Sequence, residues 1–427
     1  MKTTLRQLAL ALGALIYTFA ASSLAQNCLR SSVGLKPLTE LGTETYQSYQ
    51  GGLYPNGQNQ RPWIHDSAGR ALAQQVKPLN PSGALDPANG KIVLLSIGMS
   101  NATQEFSAFK TLADGDPAKY PQLTIVDGAQ GGQTAAIISK PSADFWTIID
   151  QRLATAGVTR QQVQVAWVKE ADASPTQSFP THALTLQSEL EAIARILKSK
   201  YPNIKLSYWS SRTYGGYATT SLNPEPYAYE SAFAIKWIME KQIGGDTSLT
   251  CSDANTKVPW LAWGPYLWAN GTTPRSDGLT WECVDFQSDG THPSSSGRTK
   301  VGNLLLNFFK SDPTATPWFL RPPTTSAERE DETSPHKFSL GQNYPNPFNP
   351  VTAISFQLSA TSFVTLRVFN LLGKEVAKLV DEEKQPGTHS IFFDTRNSKF
   401  GALPSGVYVY RLTVGSMTHQ KSMLLIR

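Results

Sequence analysis

Ser100 stands at the end of a short apolar run, in Gly98-Met99-Ser100-Asn101. A serine there lies where open α/β sheets gather their reactive groups. Asp289 and His292 occur three apart in Ser288-Asp289-Gly290-Thr291-His292-Pro293-Ser294, on a turn leading into a helical pattern. At that spacing the carboxylate can orient the imidazole and stabilise its protonated form. The other ring nitrogen is then left to take a proton from a serine. His65, His182, His336, His389 and His419 lack this context. The chemistry these residue types predict is a serine nucleophile served by a general base.

Two further stretches could complete such a site. Asp127-Gly128-Ala129-Gln130-Gly131-Gly132-Gln133 follows an apolar run, and its glycines let backbone N–H groups approach a ligand. Trp167-Val168-Lys169-Glu170-Ala171 ends another run. Lys169 there either donates to an oxyanion or pairs with Glu170 or Asp172. The backbone N–H groups at a helix start after Ser100 would stabilise the same charge. Tyr208, Trp209, Tyr214, Tyr217, Trp260, Trp263, Tyr266, Trp268 and Trp281 offer faces for sugar rings, or else fill a core. Arg212 and Arg275 suit an acidic sugar, or else structural ion pairs.

The elements that must position these residues alternate in type. Residues 91–97, 123–126, 163–168 and 205–209 read as short buried strands, and 143–156, 182–200, 228–242 and about 295–310 as helices. That alternation predicts an α/β fold with a parallel sheet covered by helices on both faces. Residues 26–90 have weak periodicity and read as an irregular lead-in to a domain ending near 320. Residues 321–337 are rich in Pro, Thr, Ser and charge, a linker composition. From 338 to 427, alternating runs such as GVYVYRLTV are separated by Gly, Pro and Asn turns, the pattern of a small all-β sandwich.

At 40% hydrophobic and 17% charged, the chain of 427 residues is too apolar to be disordered and long enough for about three pieces. A formal charge of +5 without dense Lys/Arg runs argues against a nucleic-acid partner. Residues 1–25 read as a secretory signal. Lys2 and Arg6 precede an apolar run, and Ser23-Leu24-Ala25 is a cleavage motif. No internal segment is apolar enough to span a membrane in the mature protein. Export makes the three cysteines informative. Cys251–Cys283 is the favoured disulfide, with Cys28–Cys283 or free thiols as alternatives. No metal or organic cofactor is expected.

The four chemistry-bearing stretches resemble, in order and spacing, the blocks of the SGNH (GDSL-type) hydrolase superfamily across about residues 91–310. The strongest element is DGTHPS at 289–294. The serine block is similar to the Gly-Gln-Ser-Asn branch, which includes sialate O-acetylesterases and plant-polysaccharide acetyl esterases. Lys169 stands where that branch carries Gln. The resemblance implies a flavodoxin-like three-layer α/β/α domain. It implies Ser100 as nucleophile, His292 as base and Asp289 as its orienter. The oxyanion donors would be Ser100, Gly131 or Gly132, and Lys169. Asn101, Gln133, Glu170, Arg212, Tyr214 and Trp263 are the candidate substrate contacts. The implied activity is hydrolysis of acyl esters, above all acetyl, on an extracellular carbohydrate or a small ester, through an acyl-serine. The alternatives are a broader carboxylesterase or lipase, and a glycan-binding module that has lost its chemistry.

The C-terminal stretch resembles the type A sorting domain of the type IX secretion system across nearly all of 338–427. The motifs are Asn343-Tyr344-Pro345-Asn346-Pro347-Phe348-Asn349-Pro350, the run Val368–Gly373 (VFNLLG) and Ser405–Tyr410 (SGVYVY). It implies a protein secreted or displayed at the cell surface, with the type IX machinery as partner.

Overall fold

The computed structural model describes residues 26–251, 255–322, 338–370, 373–396, 403–415 and 417–426. The expected signal segment at 1–25 lies outside the described residues, as does the expected linker apart from Arg321 and Pro322. The chain divides into two units, Met1–Thr324 and Thr325–Arg427.

The first unit is built on five parallel strands: β1 (Ile92–Gly98), β2 (Leu123–Val126), β3 (Val163–Lys169), β4 (Leu206–Trp209) and β5 (Trp260–Trp263). Their order is β2-β1-β3-β4-β5. All residues of β1, β3, β4 and β5 are buried, which is why β1, β3 and β4 read as near-continuous apolar runs rather than alternating ones. The chain reverses its direction of winding between β1 and β3. Open α/β sheets bind their ligands at such a switch point, beyond the carboxyl ends of the strands.

Six longer helices accompany the sheet: α1 (Trp63–Ala73), α2 (Ser100–Asp114), α3 (Asp144–Thr155), α4 (Thr181–Lys200), α5 (Tyr227–Ile243) and α6 (Ser295–Ser311). On α2 the buried positions Ala102, Glu105, Phe106, Phe109 and Ala113 recur at helical spacing. Phe106 stacks on Trp167 of β3 and Phe109 meets Phe309 of α6. The helix that carries Ser100 is thereby clamped to the sheet and to the helix that follows His292.

Of these strands and longer helices, two escaped the sequence reading. Helix α1 interrupts the supposed irregular lead-in. Its buried face is His65, Asp66, Gly69 and Ala73, so it lacks the Leu/Ile stripe that signals a helix. It is held by polar bonds instead: His65 Nε2 to the Leu261 carbonyl, and Trp260 Nε1–H to the His65 carbonyl. Strand β5 is the run Trp260–Trp263, whose tryptophans looked like sugar platforms but belong to the core.

The named strands of the second unit all pair antiparallel. One sheet holds β6 (Phe338–Leu340), β7 (Val351–Leu358) and β10 (Gly387–Asp394). The other holds β8 (Ser362–Asn370), β9 (Glu375–Lys384), β11 (Gly406–Val414) and β12 (Met417–Leu425). Ile354, Phe356, Leu366, Tyr410 and Leu412 are in its core. The Pro-rich opening is tied down at several points. The Asn343 N–H bonds the Tyr410 hydroxyl, which itself donates to the Gly341 carbonyl. Phe348 exchanges backbone hydrogen bonds with Leu424 and Ile426. Strand β9 went unread because it is a charged sheet edge, EVAKLVDEEK, a composition that discourages edge-to-edge pairing.

Candidate active site

Gly98 is the hinge between β1 and α2. A Cβ there would lie 2.4 Å from Ala102 Cβ and 2.5 Å from the Lys169 carbonyl oxygen. Only glycine lets the chain turn this tightly against β3. Ser100 is the first residue of α2, where backbone N–H groups have no intrahelical partner.

His292 reaches the same point from the other end of the unit. Its Nε2 lies 2.8 Å from Ser100 Oγ, and its Nδ1 lies 2.5 Å from Asp289 Oδ2. Asp289 Oδ1 accepts the N–H groups of Thr291 and His292, each at 2.9 Å. Burial pushes the Asp289 carboxyl up. The hydrogen bonds from the His292 ring and the two backbone N–H groups reverse this, so its pKa lies below the ordinary value. The loop itself is braced. Asn101 Nδ2 donates to the Thr291 carbonyl at 2.8 Å, and the Thr219 N–H donates to the Asp289 carbonyl. Gly290, at φ +64°, packs so closely on the Tyr217 carbonyl that a Cβ would fall 1.9 Å from its oxygen.

Gly131 and Gly132 are exposed beside the serine, and a Cβ on Gly131 would stand 3.8 Å from Ser100 Cβ. The turn is set by the Gln130 N–H bonding the Gly98 carbonyl, and by Ser96 Oγ accepting from Gly128 and Ala129 while donating to Asp127. Among the described residues, the backbone N–H groups of Ser100, Gly131 and Gly132 donate to no other protein group. A hydroxyl within reach of a base, and open N–H groups beside it, are the parts a tetrahedral acyl intermediate needs. Gln133 sits half-buried at the end of the same turn.

Lys169 is not one of those donors. Its ammonium is fully buried, 2.7 and 2.5 Å from the two carboxylate oxygens of Glu105, itself fully buried on α2. Burial lowers the Lys169 pKa to about 8, with Glu105 pulling the other way. The expected partners Glu170 and Asp172 are replaced by a residue the sequence reading overlooked. The signal was present: Glu105 interrupts the apolar face of α2, and a charge in that position needs a buried partner.

Several candidate substrate contacts are also reassigned. Asn101 is buried and spends its amide on the Thr291 carbonyl, so it positions the histidine loop. Tyr214 is buried with its hydroxyl on the Arg30 carbonyl, and Trp263 is buried with its indole N–H on the Leu53 carbonyl. Neither faces a ligand. The whole aromatic cluster from Tyr208 to Trp281 is core, which removes the expected stacking platforms. Glu170 and Arg212 are buried at the carboxyl edge of the sheet. Arg275 is the structural ion pair of the two options, forked onto Asp277.

The disulfide is Cys28–Cys283, not Cys251–Cys283, and Cys251 stands outside it. The N-terminal arm makes the difference. The Asn27 N–H bonds the Tyr217 carbonyl, and the Ser31 carbonyl accepts from Thr272. This lays Cys28 over the turn Cys283–Asp285, just ahead of the histidine loop.

Comparison with known proteins speaks to the second unit. Residues 342–426 match the family described as the secretion system C-terminal sorting domain. The C-terminal unit is a type IX sorting domain. It marks the protein for export to the cell surface or beyond, with the type IX machinery as its partner. No described helix is long and apolar enough to cross a membrane. No curated protein matches the chain. Among solved structures, the chain is similar to dimeric latent PorU of Porphyromonas gingivalis, at 18% identity over 22% of this chain and 10% of that one, TM-score 0.20. It is similar to PorZ, a surface component of the type-IX secretion system of the same organism, at 15% identity over 26% and 14%, TM-score 0.16. The match thus spans a small part of either protein's length. The periplasmic domain of a lipopolysaccharide acetyltransferase of Salmonella Paratyphi A is 12% identical over 58% of this chain and 97% of that one, TM-score 0.30.

Proposed function

We propose that the first unit is an SGNH-type serine esterase, exported to act on acyl esters, chiefly acetyl esters, of an extracellular carbohydrate. The observation that carries this is the continuous relay from Ser100 Oγ through His292 to Asp289. Ser100 would attack the ester carbonyl while His292 Nε2 takes its proton, and Asp289 would stabilise the imidazolium. The N–H groups of Ser100 and Gly131 would hold the oxyanion. His292 then returns its proton to the departing alcohol. A water activated by the same histidine hydrolyses the acyl-serine and frees the acid. The carbohydrate rests on the block resemblance and on export by a sorting domain, since the aromatic residues lie in the core.

The test is hydrolysis of 4-nitrophenyl acetate, with covalent labelling by a fluorophosphonate, in the wild type and in the Ser100→Ala and His292→Ala variants. Each substitution should lower kcat by about 10³-fold or more, and the double variant should be no worse than either single, because the residues act as one unit. Ser100→Ala should take no label. Turnover and labelling that persist in both variants would overturn the assignment.

A further inference from the structure

Arg212 leaves the carboxyl end of β4 and is only 5% exposed. Its Nη1 is buried without a partner, and among the described residues Arg212 makes no hydrogen bond and no ion pair within 4 Å. Other well-buried arginines of this unit are satisfied. Arg61 grips Asp66 and Asp312, and Arg275 grips Asp277 and two carbonyls. A guanidinium is charged at every working pH, and an unpaired charge in a protein interior is strongly disfavoured. Arg212 therefore reads as half of an interaction.

No described residue bonds to it. Glu105 lies near enough to act on Arg212 but is taken by Lys169. Glu170 is the second carboxylate that acts on Arg212, yet it stays beyond 4 Å, and its own Oε1 is buried without a partner. Burial raises the Glu170 pKa well above the ordinary carboxyl value, which weakens it as a counter-charge for Arg212. Lys169 and Glu105 cancel. Arg212 is left with a fork of donors that no described carboxylate grips.

Its location relates it to the serine. Lys169 pairs with Gly98 in the sheet, so Glu170 follows at the level of Met99 and Ser100. The Ser210 N–H bonds the Val168 carbonyl, which brings Arg212 out along the same edge. Strands β1, β3 and β4 are successive neighbours, so the serine and Arg212 are separated by about two strand spacings, roughly 10 Å. A substituted sugar ring spans such a distance.

We infer that Arg212, with Glu170 opposite it, is a subsite for a carboxylate carried by the substrate, so that the ester acted on belongs to an acidic sugar. The planar fork of an arginine matches a carboxylate in two hydrogen bonds, which a neutral hydroxyl cannot replace. This deepens the esterase reading and rests on it for the chemistry, but not for the binding.

The two are therefore tested apart, on the full chain. Calorimetric titration of Ser100→Ala with methyl glucuronoside and methyl glucoside measures binding without turnover. The glucuronoside should bind at least tenfold more tightly. Adding Arg212→Gln should reduce it to the level of the glucoside, and Arg212→Lys should keep part of the preference. Hydrolysis of the O-acetylated forms of the two sugars should show the same ratio in kcat/KM, carried by KM, and lost in R212Q. Equal binding of the two sugars by Ser100→Ala, a comparison that needs no arginine variant, would overturn the subsite while leaving the esterase intact. Tight binding of the glucuronoside with neither acetate hydrolysed would do the reverse. A preference that survives in R212Q would also defeat the assignment.

Discussion

The pair Glu105–Lys169 separates a structural charge from a catalytic one, and its substitution is worth following through. Both side chains are fully buried, with the ammonium against both carboxylate oxygens. Removing one partner leaves the other charge desolvated and unpaired, which destabilises by about 3–5 kcal/mol. Replacing both by apolar residues of similar volume removes the two desolvation penalties together and is about neutral. Glu105→Leu and Lys169→Met should therefore each lower unfolding free energy by about 3–5 kcal/mol. The Glu105 change should be the larger, because Arg212 also feels that carboxylate. The double variant should return to within about 1 kcal/mol of wild type. Urea unfolding followed by tryptophan fluorescence reads the first unit alone, since all ten tryptophans precede residue 320. Esterase kinetics on the same proteins decide the role. An ammonium that held the oxyanion would make Lys169→Met lose about 10²–10³-fold in kcat, and the double variant would stay as slow. A buried structural pair predicts that kcat recovers with stability in the double variant. A Lys169→Met cost below about 1 kcal/mol, or a double variant that folds but stays slow, would refute the reasoning.

Three other outcomes are expected. Asp289→Asn should lower kcat by about 10³–10⁴-fold with KM within a few-fold, because an amide oxygen keeps the loop N–H bonds but cannot stabilise an imidazolium; steady-state kinetics read this directly. Burial lowers the His65 pKa from 6.5 to about 4, opposed by its bond to the Leu261 carbonyl. The unfolded chain takes up a proton as pH falls through 6.5, and the folded one does not until about 4. Stability present above pH 6.5 is thus lost on acidification, by about 2–3 kcal/mol at pH 4.5, and His65→Gln should flatten that part of a urea-denaturation series. The disulfide closes a sequence separation of 255 residues. Cys28→Ser should lower the urea midpoint, with chain entropy setting a ceiling of about 5 kcal/mol. A change below about 1 kcal/mol would mean that the N-terminal arm holds its place without the bond.

What could be read early and what could not follows from the range of the forces involved. Strands β1 and β3 announce themselves because full burial on both faces demands mostly apolar residues with no alternation. Ser100, Asp289 and His292 stand out because reactive side chains at strand ends and in Gly-containing turns are few. Helix α1 stayed hidden because its buried face is closed by polar bonds to β5, a partner that lies far along the chain. The same holds for Lys169, whose position beside Glu170 and Asp172 hid a partner 64 residues away on another element.

The sequence by itself determined the local matters: apolar runs that must be buried, turns that only glycine can make, and a sorting domain whose motifs are contiguous. Tertiary structure alone decided which groups meet. The parallel order β2-β1-β3-β4-β5 brings residues 100 and 292 within hydrogen-bonding distance. It buries the aromatic cluster that composition had offered to a ligand. It joins Cys283 to Cys28 rather than to its nearer neighbour in the chain, and it gives Lys169 to Glu105 while leaving Arg212 without a hydrogen-bonded partner among the described residues. Pairing of that kind depends on packing across the whole sheet, where the entropic cost of closing a contact grows only slowly with its separation in sequence.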